Sequence, residues 1–225
     1  TTPDFLEFSV SGEVCLVTDD GTAATSTLTK ALAAEGWQVV TLSLPHALIP
    51  ANVHLNGAAR VQLNDMSEES VQNALTQITK RYGAIGAFIY LSPLRTGSLF
   101  SETDKALVKF AFLMAKHLKP HLTQRNATTV RPCFITLARL DGALGTSVEA
   151  DYGVITGGLF GLVKTLSLEW DRVFCRAVDV HPDSTSEQVA AYILAEMHDP
   201  NRLLTEVGYG TRGRTTLVAQ LNGVH

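Results

Sequence analysis

The chain has 225 residues, 45% of them hydrophobic and 18% charged, with a net charge of −4. That length suits one α/β domain or two small ones, and the composition is ample for a packed core. The acidic balance argues against a nucleic-acid or anionic-membrane surface, and no apolar run is long enough to span a bilayer.

Along the chain, apolar runs alternate with helical patterns. The opening TTPDFLEFSVSGE is acidic and has no basic n-region, so it does not read as a signal peptide. Strands are expected at 13–18, 37–43, 59–63, 85–91, 132–138 and 173–180, and helices at 22–35, 67–81, 101–119 and 150–171. Runs such as AFIYL and FITLA are continuously apolar, as for parallel strands covered on both faces. Repeated right-handed βαβ units then give an α/β, doubly wound parallel sheet flanked by helices. After 180 the pattern changes. HPDSTSEQ opens a helix through 198, capped by Asp183, Ser184 or Ser186. LLTEVGYGTRGRTTLVAQL reads as strand, glycine turn and strand. Residues 44–58, with two prolines, form the least regular connection. No internal boundary stands out, so 1–225 is expected to be one unit.

Cys15, Cys133 and Cys175 are an odd set without a C-x-x-C pair, which points to a reducing cytosol. Each lies in or beside an apolar run, so buried inert thiols are expected rather than nucleophiles or ligands.

The stretch VCLVTDDGTAAT, 14–25, is strand, polar turn and helix start, the place where a dinucleotide's pyrophosphate sits in such sheets. With RYGAIGAFIYLSP, RPCFITLARLDGALG and DYGVITGGLFGLVKTLSLEWDRVFCRAVDV in that order, the chain resembles the short-chain dehydrogenase/reductase family over nearly its whole length. The resemblance implies a TGxxxGxG loop after the first strand. Aligned on Thr18, its three glycine positions hold Asp19, Ala23 and Thr25, and Gly21 is off register. Asp19 and Asp20 bring negative charge toward an anion site, and Asp20 or Thr22 reads instead as a helix cap.

The resemblance also implies a Ser, Tyr and Lys catalytic set. In it the Tyr is the acid of hydride transfer, the Lys lowers the Tyr pKa and the Ser orients the carbonyl. Aligned on Gly161 and Leu162, Tyr152 takes the tyrosine position and Thr156 the lysine position, while the serine position falls near Ala138 or Arg139. A phenol with a pKa of about 10 and no neighbouring cation is a poor catalyst at neutral pH. Lys164 lies about three helical turns beyond Tyr152 and cannot substitute.

Fold retained with both sites altered resembles the N-terminal, structural half of the ketoreductase domain of type I polyketide and polyunsaturated-fatty-acid synthases. That resemblance rests on the DDG turn, GGLFGLVKTLSLEW and EVGYGTRGRTTLVAQL, with FCRAVDV leaning toward the polyunsaturated-fatty-acid branch. It implies a truncated Rossmann-like half-domain that binds no cofactor. Its partners would be the catalytic half of the same polypeptide, which holds NADPH, and an acyl carrier protein domain. The alternatives are a divergent self-contained NAD(P)-dependent oxidoreductase using Tyr152, or a module that binds another ligand in the old cleft.

Four weaker features remain. His117 and His121 have metal-ligand spacing, but Pro120 is expected to interrupt their helix and no third ligand is near, so no metal site is assigned. Asn126-Ala127-Thr128 is a glycosylation sequon without a secretory context. Arg202, Arg212 and Arg214 could meet a phosphate, and read more simply as strand-edge charges. Ile155, Leu159, Leu162, Val163, Leu166 and Trp170 recur at helical spacing, as core or as interface.

Overall fold

The computed structural model describes residues 3–10, 12–45, 48, 59–93, 101–124, 130–146 and 154–218. Tyr152 and the Asn126-Ala127-Thr128 sequon lie outside them. The elements run β1 (Val14–Thr18), α1 (Ala23–Ala34), β2 (Gln38–Ser43), β3 (Ala59–Gln62), α2 (Glu68–Tyr82), β4 (Ile85–Leu91), α3 (Glu102–Thr123) and β5 (Cys133–Ala138). A short 3-10 helix (Val154–Gly157) then leads into α4 (Gly158–Glu169), followed by β6 (Phe174–Val180), α5 (Ser186–His198), β7 (Glu206–Gly210) and β8 (Gly213–Thr215).

The eight strands of the described residues form one sheet in the order β3-β2-β1-β4-β5-β6-β7-β8. Strands β1 to β7 pair in parallel, and β8 returns antiparallel on β7. This is the expected Rossmann-like α/β parallel sheet flanked by helices. The order reverses between β1 and β4, the crevice where ligands bind in open α/β sheets.

Alternation along the buried strands feeds two cores. Val14 and Leu16 of β1, Phe88 and Tyr90 of β4 and Phe134 of β5 pack under α2, α3 and α4. Cys15 and Val17, Ala87 and Ile89, and Ile135 and Leu137 pack under α1 and α5. Each fully buried large apolar side chain contributes roughly 1.5–3 kcal/mol. Phe134 meets Phe88 at 5.2 Å and Trp170 edge-on at 5.6 Å between ring centres. The three cysteines are free and buried, and burial pushes the Cys133 and Cys175 thiols up to about 12.

The helix ends follow local chemistry, with three corrections. Thr185 caps α5, not Asp183, Ser184 or Ser186. Its hydroxyl accepts from Gln188 N, and the Gln188 side chain accepts from Thr185 N, so only Thr185 has the reciprocal partner three residues on. Helix α3 continues through Pro120 to Thr123, with Gln124 N donating to Pro120 O. A proline this close to a helix end removes one intrahelical bond without stopping the last turn. Helix α4 begins at Gly158 rather than 150, after the 3-10 turn. Paired glycines at 157 and 158 favour helix propagation poorly.

Arg214 lies on the edge strand β8, yet it is paired inward rather than solvated. It donates to Glu196 Oε1 at 2.7 Å, to Glu196 Oε2 at 3.0 Å and to Asp199 Oδ2 at 2.5 Å. Arg176, fully buried on β6, pairs with the same two carboxylates at 3.1 Å each. Tyr209 donates to Glu196 Oε1 at 2.6 Å. Two cations balance two anions, and the network pins α5 and the β7–β8 hairpin to β6. Arg202 donates to the Asp171 and Val173 carbonyls, and Arg212 is exposed.

The cap assignment gives the first prediction. Thr185→Ala costs about 1 kcal/mol of stability, whereas Ser186→Ala stays within about 0.5 kcal/mol. Urea denaturation of the two variants separates the candidates.

Candidate functional site

The carboxyl ends of β1, β4 and β5 border the crevice, and the polar residues after β1 and β5 lie there. Asp19 continues the β1–β2 pairing, its N–H donating to Leu42 O at 2.9 Å. Its carboxylate accepts from Gly21 N at 3.0 Å and from Arg60 Nη2 of β3 at 3.3 Å. Arg60 Nε also donates to Ser43 Oγ at 2.5 Å. Gly21 has φ +77°, so the glycine that is off register with the family loop serves the left-handed step of this turn.

Asp20 turns inward. Its Oδ1 accepts from Thr22 N at 2.9 Å, Thr22 Oγ1 at 2.9 Å and Thr25 Oγ1 at 2.7 Å. Its Oδ2 accepts from Thr22 Oγ1 at 2.9 Å and from Arg139 Nη2 at 2.8 Å. Thr25 Oγ1 in turn accepts from Asp20 N at 3.1 Å. Thr22 caps α1, accepting from Ala24 N at 3.1 Å. The capping read from the sequence is present, and Asp20 is the anion at the head of the helix. Asp20 and Arg139 are 3% and 8% exposed, so this ion pair is largely out of water.

Two sets of positions that the sequence treats separately are brought together here. Thr25, at a glycine position of the implied loop, holds Asp20 with its hydroxyl. Arg139, beside the implied serine position, neutralises Asp20. Arg139 follows the last residue of β5 and Asp20 lies two residues beyond β1, with β4 between them. Two inter-strand spacings are about 9.6 Å, so side chains from both sides are needed to bridge them. Ala23 is the exposed first residue of α1, and Ala138 is buried as the last residue of β5. Thr156 lies in the 3-10 turn before α4. Lys164 pairs with Glu206 at 2.8 Å.

The loop after β5 is held by two carboxylates that the sequence gives no reason to single out. Asp179 of β6 accepts from Leu140 N and Leu144 N, both at 2.8 Å. Asp141 accepts from Ala143 N at 2.7 Å and Gly145 N at 2.8 Å. Gly142 has φ +67° and lies against the Tyr209 and Gly210 backbone, where a Cβ would collide. Leu144 takes a left-handed conformation, φ +62°, uncommon for a branched residue. Burial, together with the hydrogen bond and charge of Asp141, pushes the Asp179 carboxyl up to about 7, against the two amide donors.

The remaining candidates resolve plainly. His117 Nε2 meets Glu68 Oε1 at 2.8 Å, and Lys116 meets the same oxygen at 2.7 Å. Among the described residues no group of three His, Cys, Asp or Glu side chains could hold a metal, and no helix is long and apolar enough to cross a membrane. Leu159, Val163, Leu166 and Trp170 are buried and Ile155 and Leu162 partly so, whereas Leu168 of the same helix is 83% exposed.

No family model matches the chain. Its fold matches solved short-chain dehydrogenases/reductases. A glucose/ribitol dehydrogenase of Brucella melitensis has TM-score 0.66 and 15% identity, over 87% of this chain and 92% of that one. A Burkholderia cenocepacia short-chain dehydrogenase in complex with NADP has TM-score 0.66 and 15% identity, over 90% and 99%. A 3-ketoacyl-(acyl-carrier-protein) reductase of Brucella melitensis complexed with NADH has TM-score 0.58 and 19% identity, over 77% and 76%. In fold, then, the chain is a short-chain dehydrogenase/reductase-like domain. In sequence it is 31% identical over 205 residues to a polyunsaturated fatty acid synthase subunit of a Thraustochytrium species, covering 87% of this chain. The match spans only 7% of that protein's length.

Asp179 gives the second prediction. Its carboxyl titrates near 4 in the unfolded chain and about 7 in the fold. The fold therefore binds the proton more tightly. The contribution of Asp179 to stability is full below about pH 4, declines as pH rises through about 7 and levels off above. Asp179→Asn removes this slope from the urea midpoint measured against pH; an unchanged slope assigns it to another group.

Proposed function

We propose that this chain is the non-catalytic scaffold half of a β-ketoacyl reductase domain in a multifunctional fatty acid or polyketide synthase. Residues 1–225 act as one Rossmann-like unit. The unit braces a separate catalytic half of the same polypeptide, which binds NADPH and reduces β-ketoacyl chains carried on an acyl carrier protein domain. The similarity to a segment of a polyunsaturated fatty acid synthase subunit supports that setting.

The observation that carries the reading is the buried Asp20–Arg139 pair. In cofactor-binding sheets of this topology the pyrophosphate lies on the first helix N-terminus, close to glycine backbone. Here that approach meets Asp20, already bonded to Thr22 N, and the side chain of Thr25. A second anion would lie against a buried carboxylate whose cation is committed. The residues present do not fit a dinucleotide. On the catalytic side, Arg139 faces Asp20 and Thr156 has no charge to lower a phenol pKa, so Arg139, Tyr152 and Thr156 are assigned no catalytic role. Asp19, Ala23 and Thr25 are likewise assigned no role in cofactor binding.

Calorimetric titration of the chain with NADPH and NADH tests this directly. The expected result is no binding heat up to millimolar cofactor and no reductase activity. Micromolar binding of either would overturn the reading.

A further inference from the structure

We infer that Asp20 and Arg139 form a built-in ligand: the chain's own carboxylate occupies the diphosphate position at the head of α1, and Arg139 locks it there. This rests on the scaffold reading above and adds how the cleft is closed. The closure is a two-residue contact between distant strand ends rather than a general erosion of the site.

The donors around Asp20 are of the type that would hold a phosphate. Its carboxylate takes the Thr22 amide, which lies at the head of α1, and two hydroxyls, Thr22 and Thr25. Backbone N–H and hydroxyl groups at a helix start are an anion's usual partners. The fifth bond comes from Arg139, 119 positions away, at 2.8 Å. A helix head alone attracts an anion weakly. A buried guanidinium directed at the same point makes the position strongly electropositive once the carboxylate is removed, because a buried charge without a partner is costly. Asp19 is held apart by Arg60 and Gly21 and does not compete for Arg139.

The contact also spans the topological switch point. It joins the β1 end to the β5 end across β4, where Thr18 Oγ1 donates to Leu91 O at 3.2 Å and accepts from Leu91 N at 2.8 Å. A dinucleotide would ordinarily lie across this crevice. The internal pair takes its anion position and ties the same two loops, so the cleft is closed without an external molecule.

The test uses inorganic pyrophosphate and NADPH as probes on the whole chain, by calorimetry and by thermal shift in chloride buffer. Wild type is expected to bind neither. Asp20→Ala exposes Arg139 and the α1 donors and is expected to bind pyrophosphate about tenfold or more tighter than wild type, equivalent to about 1.4 kcal/mol. Arg139→Ser keeps the carboxylate and is expected to gain nothing. Asp20→Ala/Arg139→Ser is expected to bind more weakly than Asp20→Ala. If Asp20→Ala does not fold, Asp20→Ser, neutral and smaller than the carboxylate, carries the same expectation.

The inference is overturned if the folded Asp20 variants gain no pyrophosphate affinity, or if Arg139→Ser gains as much as they do. In either case a silent wild type leaves the scaffold reading standing. NADPH binding by wild type overturns both.

Discussion

A carboxylate sealed into a protein must be paired, and Asp20 is sealed at the mouth of the sheet. Removing one partner of a buried pair costs roughly 3–5 kcal/mol, because the other is left charged and dry. That penalty fixes Arg139, and Arg139 is the first residue of the loop that follows β5. The position of that loop depends on an interaction with a residue 119 positions earlier in the chain. The threonines at 22 and 25 share the same requirement, since their hydroxyls complete the hydrogen-bond shell of the carboxylate.

From Arg139 the constraint spreads along the carboxyl edge of the sheet. The backbone of the same loop wraps Asp179 of β6 and is closed by Asp141 on its own amides. Gly142 lies on the β7 backbone so closely that a side chain there has no room. The ends of β1, β5, β6 and β7 are therefore linked through one short segment. An enzyme on this fold keeps that edge open, since its cofactor and substrate enter there and its loops must move. Among the described residues, internal bonds join the strand ends along this edge, an arrangement in keeping with the scaffold role proposed above.

Much of the architecture is legible in the sequence because its signal is local. Continuous apolar runs such as AFIYL mark strands buried on both faces, and β4, β5 and β6 fall within a residue of the expected spans. The misses have physical causes. Thr185 yields to its neighbours in a sequence reading because capping depends on a partner three residues on, here Gln188. Pro120 reads as a break, yet so near the end of α3 it removes only one bond. Arg214 reads as an edge charge because its partners, Glu196 and Asp199, lie on another element and are invisible without the β7–β8 turn.

The site is legible in its parts and not in its assembly. Asp20 stands out as the wrong charge in a phosphate turn, and Arg139 as the wrong residue beside a serine position. Taken separately, each reads as damage, and two altered sites on a retained fold suggest a domain that kept its shape and lost its chemistry. The strand order changes that view, since it places β5 two strands from β1 and lets one residue answer the other. Either residue alone would be a buried, uncompensated charge at the most sensitive point of the sheet. Together they are neutral, fully bonded on the Asp20 side and bridging. On the proposed reading, losing a cofactor site and acquiring a structural clamp are the same pair of residues seen from two directions.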